Sequence, residues 1–222
     1  MTVCMFLTYQ SASEGVPDVD SAWMAELAKR IQSISGLARA VMHTPGSTSD
    51  PYLRDQDLPA LVVQLYFSGL HELEAQLQPS GAIHDLVNAR WAMTQQVMLV
   101  RNFAVPVARS ASEQVTYLVA YHGAALDYST WLTHYVTHHI PLMLRLPGLR
   151  ALEIYTRLDW ASSLPIPRSN AVQRNKVVFD DATAMTAALN SPLRHEMRKD
   201  YQAFPPFEGA NQHYPMISRQ LD

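Results

Sequence analysis

The sequence predicts an α+β fold in which two copies of a βαββαβ unit pack their antiparallel sheets into one barrel, and three observations predict it. The first is self-similarity at a single offset. Laying Gly36-Leu37 on Gly148-Leu149 brings Tyr9 onto Tyr121, Trp23 onto Tyr135, Ile31 onto Met143, Ile34 onto Leu146, Phe67 onto Phe179, Leu73 onto Met185 and Leu77 onto Leu189 without a gap. The second is that the apolar spacing switches between strand and helix periods in the same order in each half. The third is the punctuation, Gly and Pro falling between the periodic stretches and seldom inside them.

In the first unit, Val3 to Tyr9 is β-rich and reads as a strand, and a loop with Gly15 and Pro17 follows. A helix from about Asp20 to Ser35 carries Trp23, Leu27, Ile31 and Ile34 on one face. After Gly36 come a strand from Leu37 to His43, a polar loop from Thr44 to Pro59, and a third strand from Leu61 to Phe67. Leu70, Leu73 and Leu77 open a second helix that Pro79-Ser80-Gly81 interrupts, and Ile83, Leu86, Val87 and Trp91 read as a further helical piece. Val97 to Phe103 closes the unit as a strand, and Ala104 to Glu113 is the linker.

The second unit runs from a strand over Val115 to His122 through a central helix to a strand over Leu149 to Arg157. A loop from Asp159 to Asn170, a strand from Lys176 to Phe179, a helix from about Asp181 to Leu189, a helix after Ser191-Pro192 towards Tyr201, and a strand from Gln212 to Arg219 complete it. The order βαββαβ, met twice, is that of ferredoxin-like units, here 1–107 and 114–222. Helices cover only one face of each sheet. The bare faces are expected to meet, enclosing a cavity in one barrel per chain, with a homodimer as an added layer.

With 222 residues, 48% hydrophobic and 17% charged, the chain can bury a sizeable core. The net charge of −3 and the lack of a basic stretch with aromatics argue against a nucleic-acid partner. No stretch reaches the length of a membrane span and no leader is legible at the N-terminus, so the expectation is a cytoplasmic protein with no membrane partner. The single Cys4 lies in the first strand and fits a buried thiol in a reducing compartment.

The most informative stretch is Trp131 to Arg150. Tyr135, His139, Met143 and Leu146 fall on the core-facing stripe of the central helix, and Pro141 cannot donate to the Thr137 carbonyl. The helix should therefore kink or restart at His138 and His139 before Pro147-Gly148 ends it. His134 and His138 lie four apart on a wetter face with Arg145, where a solvated surface is the plain reading and a metal pair would need a third ligand such as His122 or His195. No metal site is expected. No phosphate-cradling glycine loop, dinucleotide fingerprint or Ser-His-Asp order is present, so no nucleotide cofactor is expected either.

Trp131, Tyr135, His139, Pro141-Leu142 and Leu146-Pro147-Gly148-Leu149, with a second patch of Ser191-Pro192, Asp200 and Phe204, resemble the EthD-like family of the dimeric α+β barrel superfamily. The first half matches only through the repeat, and there Leu27 stands at the place of His139 and Lys29 at that of Pro141. One His-based site per chain is expected. The resemblance implies a small, aromatic or lactone-like organic ligand bound in the barrel interior. It also implies one of several activities found in that superfamily: cofactor-free monooxygenase, lactone isomerase, cyclase or haem-dependent enzyme.

His139 is the candidate general acid or base, since an imidazole on an apolar stripe needs a partner or a task. The alternative for it is a core histidine bonded to a backbone carbonyl. Trp131, Tyr135, Tyr155 and Phe204 are candidate pocket walls, and His122, opposite in direction to Tyr121 on its strand, is a candidate for the pocket mouth. An enzyme acting on a small apolar molecule, a non-catalytic binder of the same molecule, and a haem protein using His139 are the three readings that follow.

Overall fold

In the computed structural model, which describes residues 1–10, 19–48, 50–52 and 58–221, the chain forms a closed eight-stranded antiparallel barrel with helices on its outside. The expected loop with Gly15 and Pro17 lies outside the described residues. The strands are β1 (Val3–Gln10), β2 (Leu37–Pro45), β3 (Leu61–Phe67), β4 (Ala92–Phe103), β5 (Glu113–Ala125), β6 (Leu149–Arg157), β7 (Gln173–Phe179) and β8 (Phe207–Leu221). Around the barrel they follow the order β1-β3-β2-β8-β5-β7-β6-β4, and β4 pairs with β1 to close it. The two seams between halves are β2 with β8 and β4 with β6.

The helices are α1 (Ser21–Gln32) and α2 (Leu70–Gln76) in the first half. In the second half they are α3 (Tyr128–His134), α4 (Ile140–Met143), α5 (Ala182–Leu189) and α6 (Pro192–Gln202). Asp20, Asp127 and Asp181 each cap a helix start by accepting from the first-turn backbone N–H groups. Gly36 and Gly148, each directly before a strand, take φ of +76° and +74°, a left-handed turn that lets the chain leave the helix and enter β2 or β6. The helical piece expected through Trp91 is a single 3-10 turn over Ala82–Leu86, after which the indole packs 5.6 Å from that of Trp23 just before β4.

Strand alternation gives the barrel two distinct faces. Outward residues such as Val3, Met5 and Leu7 join Leu27, Ile31 and Leu73 in one apolar layer under the first-half helices. Val119, Ile154 and Phe179 join Trp131, Tyr135 and Met185 in another under the second-half helices. Inward residues form a third layer inside the barrel, with Cys4, Phe6, Tyr66, Met98, Tyr155 and Tyr214 among them.

Much of the interior is polar, and among Val41, Thr116, Glu153, Lys176 and Ser218 it keeps a cavity of about 90 Å³. Glu153 sits 2.8 Å from Arg39 and 3.6 Å from Lys176, and it accepts hydrogen bonds from Tyr66 and Tyr155. Burial alone would raise the Glu153 carboxyl, but Lys176 and Arg39 outweigh it and hold its pKa down at about 2. His43 bridges Gln64 and Ser218 at 2.7 Å each, and burial with the nearby Lys176 pushes its pKa down to about 3.

Candidate active site

The central helix runs without a break. Between α3 and α4 it widens into a π-helical turn over Tyr135–His139, in which the Ile140 N–H donates to the Tyr135 carbonyl five residues back. Pro141, lacking a donor, follows directly, and a widened turn is a conformation that tolerates the missing bond. Its consequence is that Tyr135, His139, Ile140 and Met143 are all buried against the sheet, His139 being 5% exposed.

His139 faces a cavity of about 100 Å³. Its floor is the outer face of the sheet, with Tyr117, Val119 and Tyr121 from β5, Asn175 and Val177 from β7, and His213 from β8. Its walls are Met143 and Leu146 from the central helix and Arg194, Met197 and Tyr201 from α6. The cavity is therefore between sheet and helices, not in the barrel hollow expected from the sequence. The reason is geometric: a helix lying on the sheet can aim its core-facing stripe only at the near face.

The Nδ1 of His139 lies 2.8 Å from Asp200 Oδ2, and the other carboxylate oxygen lies 3.2 Å from His134 Nε2. A carboxylate can only accept, so Nδ1–H donates and the lone pair of the neutral ring is on Nε2. No described residue hydrogen-bonds Nε2. Burial lowers the His139 pKa below its usual value, with Asp200 pulling the other way and Arg194 adding to the fall, so the ring is a neutral base at pH 7. The Phe204 ring stands perpendicular to the imidazole with centroids 5.2 Å apart, fixing its plane.

Of the other residues singled out in the sequence, Trp131 and Tyr135 stack on each other at 5.4 Å behind His139 and do not line the cavity. The Tyr135 hydroxyl accepts from Asn175 Nδ2 at 2.7 Å and contacts Met143 Sδ, and burial raises its pKa. Tyr155 points into the barrel, bonded to Gln64, Tyr66 and Glu153, with the sheet between it and His139. His122 is half-buried near the end of β5, where burial and Arg174 lower its pKa while Asn170 and Gln212 oppose the fall. His134 and His138 stack at 4.4 Å, the former on Asp200 and the latter beside Thr137.

Arg194, Tyr117 and Asp50 were not singled out by the sequence. Arg194 Nη2 and the Tyr117 hydroxyl both donate to Asp50 Oδ2, at 3.1 and 2.7 Å. Asp50 belongs to the β2–β3 loop of the first half, and Tyr52 beside it bonds His195 and lies under Arg194 and Arg198. The reverse exchange also occurs: the β6–β7 loop puts Leu164, buried, with Trp160 and Ile166 into the apolar layer of the first half. Asp200, named in the sequence only within the second resembling patch, follows Leu193 and Met197 at helical spacing, and a charge on that apolar stripe of α6 is a second sign of it. Asp50 lies in a loop whose sequence carries no such sign.

No protein-family model matches the chain, and no curated protein sequence matches it. Solved structures do. An anthrone oxidase-like protein superposes with a TM-score of 0.62 at 11% identity, over 99% of this chain and 93% of that one. A candidate monooxygenase from Fusobacterium nucleatum gives 0.61 at 7% over 100% and 93%, and another from Lactobacillus acidophilus gives 0.56 at 11% over 98% and 93%. The chain shares the fold of these proteins, with its closed eight-stranded antiparallel barrel and outer helices. At such identities the likeness speaks for the fold alone. Among the described residues, no helix is long and apolar enough to cross a membrane.

Proposed function

We propose that this protein is a small-molecule enzyme whose first chemical step is proton abstraction from a phenol or an activated C–H acid, with His139 as the base. The observation that carries the reading is the Asp200–His139 pair, a buried imidazole held through Nδ1 on a residue that lines a mostly apolar cavity, with Nε2 unbonded among the described residues. Asp200 acts as the positioning residue: it selects the tautomer and stabilises the imidazolium formed when the proton arrives. Proton abstraction is the step that a cofactor-free oxygenase and an isomerase share. The names of the fold neighbours make oxygen uptake the first thing to measure beside it.

The cavity limits the substrate. At about 100 Å³ it lies below the roughly 300–1,000 Å³ of pockets for drug-sized ligands, which points to a compact substrate. A porphyrin does not fit it, so the chemistry is assigned to the side chains. The EthD-like reading is supported by the way its two sequence patches meet, Asp200 and Phe204 from α6 and its end touching His139 from the π turn. We take units 1–107 and 114–222 as products of one tandem ferredoxin-like duplication, which the repeated strand order supports.

The test is hydrogen–deuterium exchange at the acidic carbons of 2-indanone, followed by NMR in D2O with oxygen uptake recorded alongside. Wild-type protein is expected to accelerate exchange, and His139→Gln to lose roughly 10²–10⁴-fold of it. Equal exchange by both proteins refutes the base. Retention of 2-indanone without any exchange makes the protein a ligand binder.

A further inference from the structure

Proton transfer from a neutral ligand to a neutral histidine separates charge inside an apolar cavity, which is costly unless each charge has a partner. The imidazolium has Asp200. The partner for the ligand's oxyanion is then the group to find, and the cavity wall supplies one. Arg194 lines the cavity with its side chain 14% exposed. Its Nη2 is engaged by Asp50, but its Nε is buried without a hydrogen-bond partner among the described residues. A buried guanidinium N–H left open beside a cavity is a donor in need of an acceptor.

We propose that Arg194 anchors an anionic oxygen of the ligand through Nε, so that the site takes an acidic phenol or enol and holds it as its conjugate base. In this step the ligand O–H bond breaks, an N–H bond forms at His139 Nε2, and the electron pair remains on the oxygen beside Arg194. The two groups are near enough for Arg194 to disfavour protonation of His139. Asp50 is the internal competitor. It occupies one edge of the guanidinium, and the second half's site borrows it from the first half. The Tyr52 ring, 5.4 Å from the Arg194 guanidinium and 4.6 Å from that of Arg198, further fixes the cation.

This proposal rests on the reading of His139 as the base, but its experiment reads a different quantity. The probe is 4-nitrophenol, whose phenolate is coloured, with nitrobenzene as the control that lacks the oxygen. Excess wild-type protein is expected to shift the nitrophenol titration to lower pH and to bind it at least tenfold more tightly than nitrobenzene. Arg194→Met should lose both effects, weakening binding by about tenfold or more, as for a hydrogen bond to a charged group. Asp50→Asn keeps an acceptor for Tyr117 but removes the competing charge, and it should bind the phenolate more tightly than wild type.

Unchanged phenolate binding in Arg194→Met, or equal affinity of wild type for nitrobenzene, overturns the anchor. If Arg194→Met does not fold, Asp50→Asn decides: unchanged or weaker binding overturns the proposal. Arg194-dependent phenolate binding with His139-independent exchange on 2-indanone upholds the anchor and refutes the base. The converse pair of results upholds the base and refutes the anchor.

Discussion

Asp200 stands 2.8 Å from Nδ1 of His139 although 61 positions separate the two in the chain. Without it, a buried imidazole could carry its proton on either nitrogen, and half the choices would leave Nε2 unable to accept one. Asp200→Asn keeps the shape but loses the charge that fixes the tautomer and steadies the imidazolium. A fall in kcat for 2-indanone exchange of roughly 10–100-fold, with KM little changed, is expected. A proportional rise in KM alone would assign Asp200 to binding.

The pH profile of the same reaction follows from the direction in which His139 is shifted. Activity needs the neutral ring, so kcat/KM is present above its pKa and falls as pH falls through it. Burial lowers that pKa below 6.5, and the acid limb of the profile is expected below 6.5. Arg194 contributes to the lowering and Asp200 opposes it. Arg194→Met should therefore move the limb upward and Asp200→Asn downward, opposite shifts that a purely structural role would not produce.

Strand and helix positions were legible wherever local pattern decides them. β3 over Leu61–Phe67 and β6 over Leu149–Arg157 carry the limits read from the sequence, because a short run of β-prone residues and, for β6, the Gly-Leu start are local signals. β8 runs to Phe207–Leu221, well beyond Gln212 to Arg219, because its ladder with β5 extends to Ala125↔Phe207 and pairing outweighs the propensity of Glu208, Gly209 and Ala210. His139 stood out because laying the sequence on itself sets it against Leu27. Asp50 could not stand out, since its role depends on a loop crossing from one half to the other. His139 packs on the outer face of the sheet and not towards the barrel hollow for a related reason: apolar periodicity says which helix face is buried, but not which side of the sheet it meets.

The buried cluster in the barrel should respond unequally to single and paired substitutions. Glu153→Gln leaves Arg39 and the fully buried Lys176 without their counter-charge, at a cost of about 3–5 kcal/mol in chemical denaturation. Replacing Glu153 and Lys176 together with Leu and Met removes the pair and should cost less than Glu153→Gln alone. If the double variant is the less stable, the ion pair contributes net stability and desolvation is the smaller effect.

His43 gives an acid-stability prediction with a defined sign. Its folded pKa is about 3 against 6.5 for the free group, so between these values the unfolded chain binds a proton that the folded chain does not. Stability from this group is complete above 6.5 and is lost as pH falls towards 3, with a slope of up to about 1.4 kcal/mol per pH unit. Denaturation curves for wild type and His43→Gln between those limits should differ in slope by about one proton. Parallel curves would mean that His43 titrates in the fold as it does in the free chain.

Leu164 explains why the two halves differ in what they can hold. It comes from the β6–β7 loop of the second half, is buried in the first-half layer with Leu27 and Ile31, and is anchored there by Ser163, whose N–H and hydroxyl both donate to the Leu77 carbonyl. The reciprocal loop brings Asp50, a charged group that pairs with Arg194 in the wall of the second-half cavity. Leu164→Ala should therefore cost about 2–5 kcal/mol, the range for truncating a buried leucine, and leave an apolar hole in the first half. Xenon or benzene should recover part of that loss by occupying the hole, seen as a higher Tm for the variant than without gas or solute. The same additions should leave wild type, where the leucine already fills the space, unchanged at this position. A loss below about 1 kcal/mol would show that the loop packs on the first half without filling it, and the asymmetry between the halves would then rest on Leu27 alone.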